Sequence, residues 1–114
     1  TELFWSEWEA VARRMTALAR AHGATIWWTT TPVEPGMWWE DLMHRLNDIH
    51  RSLDTPVVDF EHFVEHHPGG WGIVDGVHFS AAAEAEATTY LLDHIVRFER
   101  FGPAADASNI AFTT

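Results

Sequence analysis

A chain of 114 residues has room for one domain, and a domain of that size buries somewhat over ~60% of the surface its unfolded chain exposes, enough for a modest core. With 17 acidic against 7 basic residues and a formal net charge of -10, it offers no basic patch for a nucleic acid or an anionic membrane, and no apolar run approaches the ~18 residues of a membrane span. Cysteine is absent, which excludes disulfides, thiol nucleophiles and thiolate metal sites and leaves the compartment unread.

The first residues do not form a basic-then-apolar leader; a helix begins here instead. Phe4, Trp8, Val11, Met15 and Leu18 recur at spacings of three and four, while Arg13, Arg14 and Arg20 fall elsewhere, so this stripe is the face expected to be buried. Ser6 to Glu9 offers one N-terminal capping signal and Thr1 an earlier one, and Gly23 is the expected C-terminal stop. Trp5 and Trp8 read as core or partner-facing residues in preference to a substrate-lining pair.

Ala24 to Thr31, uncharged and rich in β-formers around Ile26, Trp27 and Trp28, reads as a strand buried on both faces and closed by Pro32. In an open α/β sheet the loops after strand C-termini line the site, which makes Thr31 a candidate substrate-binding residue and Thr29 to Trp39 a candidate cleft wall. Trp38 to Leu53 is the second helix, with Trp39, Leu42, Met43, Leu46, Ile49, His50 and Leu53 on the apolar side. Glu40, Asp41, Arg45, Asp48 and Arg51 face away, acids leading and bases trailing as the helix dipole favours. His44 and His50 do not share a face and are not expected to hold a metal together.

Thr55 to Phe60 is a second short strand, with Asp59 expected to cap the turn that follows. Within that turn His62 and His66 have the i, i+4 spacing of two imidazole ligands, but Phe63 stands where the zinc-protease pattern carries Glu and no third ligand is assigned, so an ordinary surface helix is favoured and no metal is expected. Pro68 to Gly72 is a breaker cluster. Its Trp71 is a candidate substrate-binding residue, a role weighed evenly against plugging the loop onto the core.

Asp75 and His78 lie three apart between this loop and an alanine-rich helix. A carboxylate so placed accepts the His78 Nδ1–H, fixing the tautomer and leaving Nε2 as a general base. Ser80 is expected to cap the last helix, whose wide buried face is Ala81, Ala85, Thr88, Leu92, Ile95 and Val96 flanked by Tyr90 and Leu91, and which ends near Phe98, with Gly102-Pro103 forbidding continuation.

Asp75-Gly76-Val77-His78-Phe79-Ser80, with the strand, short helix and Trp-Gly loop before it and the helix after it, resembles the last conserved block of the SGNH (GDSL-type) hydrolase superfamily. The resemblance covers residues 1–98 and only the C-terminal part of that family's domain. It implies a Ser-His-Asp triad in which His78 is the base and Asp75 its orienting acid, acting on carboxylic esters by hydrolysis or acyl transfer with no metal or organic cofactor. The family's Gly-Asp-Ser strand, its oxyanion Gly and its Gly-x-Asn-Asp motif do not occur in this chain. The implied partners are therefore a small-molecule or glycan ester and a Ser-bearing preceding segment or second chain, with no nucleic acid and no membrane span.

The expected fold is the C-terminal part of a flavodoxin-like, three-layer α/β/α sandwich with a parallel sheet, spanning residues 1–102, followed by a small, polar tail at 103–114. Two strands make a poor sheet alone, so further strands or an oligomer are expected to complete it. A non-catalytic interaction subunit is the alternative reading, since seven Trp in such a chain suit a buried interface.

Overall fold

The computed structural model describes residues 1–66 and 78–102. The elements follow in the order α1 (Glu2–Ala21), β1 (Trp28–Thr29), α2 (Glu40–Arg51), β2 (Val57–Val58), α3 (Phe60–Glu65) and α4 (Ala81–Phe101).

Each helix is started and stopped by local chemistry. The Thr1 hydroxyl accepts the Phe4 N–H, so α1 uses the earlier of its two N-terminal signals. At its other end Gly23 sits at φ 76, and bonds from the Ala24 and Gly23 N–H groups to the Ala19 and Arg20 carbonyls close the helix. This αL stop is one that a residue with a Cβ resists. Asp59 caps α3 by accepting the His62 N–H, and Ser80 caps α4 by accepting the Ala83 N–H. At the far end of α4, Gly102 stands at φ 71.

β1 and β2 pair in parallel, Trp28 against Val57 and Thr29 against Val58, with α2 as the crossover. The flavodoxin-like three-layer sandwich is not what forms. Among the described residues helix accounts for 66% and strand for 5%, and the sheet has two strands of two residues each. The cause lies along β1. Trp28 and Thr30 turn their N–H groups toward β2, bonding Pro56 and Val58 carbonyls. The groups facing the other way are taken by side chains of α2: the Asn47 amide accepts the Thr31 N–H at 2.7 Å and donates to the Thr31 carbonyl at 2.8 Å, while His50 Nδ1–H donates to the Thr29 carbonyl at 2.8 Å. Hydrogen bonds that a third strand would make are thus made by a helix.

The core gathers where α3 and α4 meet β2. Val58, Phe63, Ala87 and Tyr90 are buried together, with Trp27, Phe60, Val64, Phe79 and Leu91 packed around them. Burying side chains the size of Val58 and Phe63 contributes about 1.5–3 kcal/mol each. A second contact joins α1 to β1 and α2. Trp8 Nε1–H donates to His50 Nε2 at 3.3 Å, and Trp28 Nε1–H donates to the Thr16 hydroxyl at 3.0 Å.

Both long helices are turned relative to their expected faces. α1 buries Trp5, Ala12 and Thr16, and leaves Phe4, Val11, Met15 and Leu18 exposed. α4 buries Ala83, Ala87, Tyr90 and His94, and leaves Leu92 and Val96 exposed. Each carries apolar residues on more than one side, so a 3.6-residue period fixes the helix but not which side meets the core. Among the described residues no helix is long and apolar enough to cross a membrane.

Candidate functional site

The carboxyl ends of the two parallel strands open onto one polar cluster, and α2 and α3 supply most of it. Asp59, directly after β2, accepts the Thr30 hydroxyl at 2.8 Å and the His62 N–H at 3.0 Å, both through Oδ1. Arg51 reaches it from the end of α2 with Nε on Oδ2 and Nη2 on Oδ1, each at 3.0 Å, a two-point grip of the planar guanidinium on the carboxylate. The same Nη2 donates to Glu61 Oε1 at 3.1 Å.

Glu61 is the surprise of the cluster. It lies in a stretch that reads as a surface helix, yet its side chain is only 7% exposed. Its other oxygen accepts Asn47 Nδ2 at 3.0 Å and lies 3.3 Å from His44 Nδ1, and its N–H donates to the Thr30 hydroxyl. Asn47, fully buried, thus spends its amide on the Thr31 backbone and on Glu61 at once. A buried carboxylate without such donors would be several kcal/mol less stable.

Burial alone would raise the Asp59 carboxyl, but the hydrogen bonds from Arg51, the His62 N–H and Thr30 outweigh it and hold the group below its ordinary value. Arg51 is correspondingly driven up, first by its hydrogen bond to Asp59, against an opposing effect of burial. Asp59 therefore stands as an ionised acceptor fixed to a cation, and Glu61 shares the same guanidinium. The arrangement sets the geometry of the strand ends and does not leave Asp59 poised to exchange a proton with a substrate.

Around this cluster stand the residues singled out from sequence. Thr31 is half-buried at the end of β1, its backbone clasped by Asn47. His78 is exposed, two residues before the cap of α4. The ring of its neighbour Phe79 meets Phe60 edge-on at 6.2 Å, and Phe60 follows Asp59. The Tyr90 hydroxyl donates to the Asp59 carbonyl at 3.1 Å, tying α4 to that strand end as well. Asp75 and Trp71 lie outside the described residues, as do the Gly-rich loop around Trp71 and the tail at 103–114.

Sequence reasoning placed Arg51 on an outward face and passed over Asn47 and Glu61. Spacing held one clue: Asn47, Arg51 and the strand-end acids fit together once β1 and β2 are parallel, because the crossover helix then runs back past both strand ends. Elsewhere, a shallow hollow of about 560 Å³ between α1 and α2 is bordered by Glu9, Asp41, His44 and Arg45. His62 and His66 stack with ring centroids 4.0 Å apart. Among the described residues no group of three or more His, Asp or Glu converges as a metal cage.

No family model, curated protein or solved structure matches this chain.

Proposed function

We propose that the chain supplies the Asp-His pair of a serine ester hydrolase or acyltransferase, with the nucleophilic Ser and the oxyanion donors carried by another segment or a second chain. The observation that supports this reading is that His78 is exposed, stands two residues before the cap of α4, and is followed by Phe79, whose ring packs on Phe60 just past the carboxyl end of β2, the edge at which α/β sheets bind ligands. Thr31 lies at the same edge, where it would border the ester.

In this scheme Asp75 accepts the His78 Nδ1–H. His78 Nε2 takes the proton of the incoming Ser hydroxyl as its oxygen attacks the ester carbonyl, then returns it to the departing alkoxide as the acyl-enzyme forms. Water or an acceptor alcohol, deprotonated by the same nitrogen, attacks the acyl carbonyl, and that proton passes to the Ser oxygen as its bond to the acyl carbon breaks. Trp71 would shape the acyl or alcohol pocket. The substrate is a small-molecule or glycan ester, and the negative surface disfavours anionic ones.

The test uses the native assembly with everything that is joined to the chain or co-purifies with it. A fluorophosphonate probe labels activated serines, and intact mass identifies the labelled chain. The expected result is one labelled Ser outside these residues, with labelling and ester turnover lowered about 10³-fold or more by His78→Ala. An unlabelled assembly, or labelling that His78→Ala leaves intact, refutes the scheme.

A second reading draws on a different observation. Leu3, Phe4, Val11, Met15 and Leu18 leave apolar surface exposed along α1, which suits a non-catalytic interaction subunit. An assembly that holds a second chain but takes no label favours it.

A further inference from the structure

We propose that His62 and His66 form a two-imidazole site for a divalent first-row transition ion of the Zn²⁺, Ni²⁺ or Cu²⁺ kind. The site is separate from the ester chemistry and stands or falls independently of it.

Residues four apart on a helix lie one above the other, and α3 brings these two rings to a centroid separation of 4.0 Å with only 26° between their planes. His66 Nδ1 lies 2.9 Å from the His62 carbonyl, which can only accept, so this nitrogen carries the proton and the lone pair of His66 resides on Nε2, the usual imidazole ligand atom. The bond also holds the ring in place, as hydrogen bonds at the far nitrogen do for metal-bound histidines. His66 is exposed and His62 half-buried, so an ion has access from solvent.

Metal–nitrogen bonds to imidazole are about 2.0–2.1 Å long, which puts two neighbouring ligand atoms on one ion about 3 Å apart. The stacked rings run their in-plane lone pairs side by side, so ion binding requires the His62 ring to turn about χ1 and χ2 until its free nitrogen meets the ion, while His66 stays on its Nδ1 bond. Water completes the coordination. The last-turn carbonyls of α3 present the negative end of the helix to the ion, and the net charge of -10 favours a cation. Imidazole pairs select this class of ion over Mg²⁺ and Ca²⁺, which prefer oxygen. Phe63, buried in the core, occupies the place of the zinc-protease Glu, so the inference is ion binding without peptide hydrolysis.

The experiment titrates the full chain with Ni²⁺ and with Zn²⁺ by calorimetry, following the imidazole NMR signals in parallel. The expected result is one saturable site, with Ni²⁺ broadening confined to His62, His66 and their neighbours. Either His62→Gln or His66→Gln should weaken binding at least about tenfold by removing the chelate, while His22→Gln, on the exposed turn after α1, should leave it unchanged. Failure of the wild-type chain to saturate below 1 mM, expressed as about 10⁻³ M, overturns the proposal. So does broadening centred on other histidines, which needs no variant and is immune to any folding defect. Unchanged affinity when His62 and His66 are both replaced by Gln would do the same.

Discussion

Replacing Asn47 tests the account of the strand ends most directly. Its side chain is fully buried and makes three hydrogen bonds: two with the Thr31 backbone at 2.7 and 2.8 Å and one to the Glu61 carboxylate at 3.0 Å. A bond between neutral groups contributes about 1 kcal/mol net and one to a charged group about 1.5–3, so the three together come to about 3.5–5 kcal/mol. Because Thr31 is only half-buried, water can reach part of what Asn47 abandons, and about 3–4 kcal/mol is the expected loss for Asn47→Ala. Asn47→Asp should cost more. It keeps the shape but turns the two Nδ2 donations, toward the Thr31 carbonyl and the Glu61 carboxylate, into oxygen facing oxygen. Urea unfolding followed by tryptophan fluorescence measures both, and with a slope of roughly 1.5–2 kcal/mol per molar the Ala variant should shift its midpoint by about 2 M. A loss below about 1 kcal/mol for Asn47→Ala, or an Asp variant more stable than the Ala variant at pH 7, would refute the clasp.

The folded-state carboxyl of Asp59 lies below its unfolded value, so the stability it contributes is present above pH ~4 and lost as pH falls through the folded value. Asp59→Asn should therefore be less stable than the wild type at pH 7, with the gap closing below pH ~4; a gap independent of pH would contradict the ion-pair account. Phe63→Ala should cost about 3–5 kcal/mol in the same urea assay, since Phe63 is buried and its ring lies 4.4 Å from that of Tyr90. The Glu2 to Arg45 bridge, bidentate at 2.6 Å but on the open surface, should behave oppositely: Glu2→Gln leaves the midpoint unmoved, and a clear shift would show that surface pairing matters here.

Local signals in this chain were legible and long-range ones were not. Thr1, Gly23, Asp59 and Ser80 announce helix ends because a cap depends on residues three or four apart, and the structure uses each of them. The β-rich run Ala24–Thr31 is longer than the strand that forms, since only Trp28 and Thr29 find a β partner and the outward-facing groups of Thr29 and Thr31 are served by His50 and Asn47. Helix phase failed for a related reason. Which side of α1 is buried was decided by Trp28 and His50 arriving from elsewhere in the chain to meet Thr16 and Trp8. The Glu61 burial was hidden in the same way, because an acid reads as surface until Arg51 and Asn47 are seen to surround it. For the candidate site, the Asp-x-x-His spacing was visible in sequence, while the polar cluster beside it exists only through the parallel pairing.

The clasp on β1 also bears on how this chain behaves in a crowded solution. A bare strand edge recruits strands from other molecules, and that route leads to fibres and precipitates. Here Asn47 and His50 occupy the outward-facing Thr31 N–H and the Thr29 and Thr31 carbonyls. Variants that loosen these bonds should thus gain a tendency to self-associate beyond what their lost stability explains, with slow exchange of the Thr31 amide proton disappearing first.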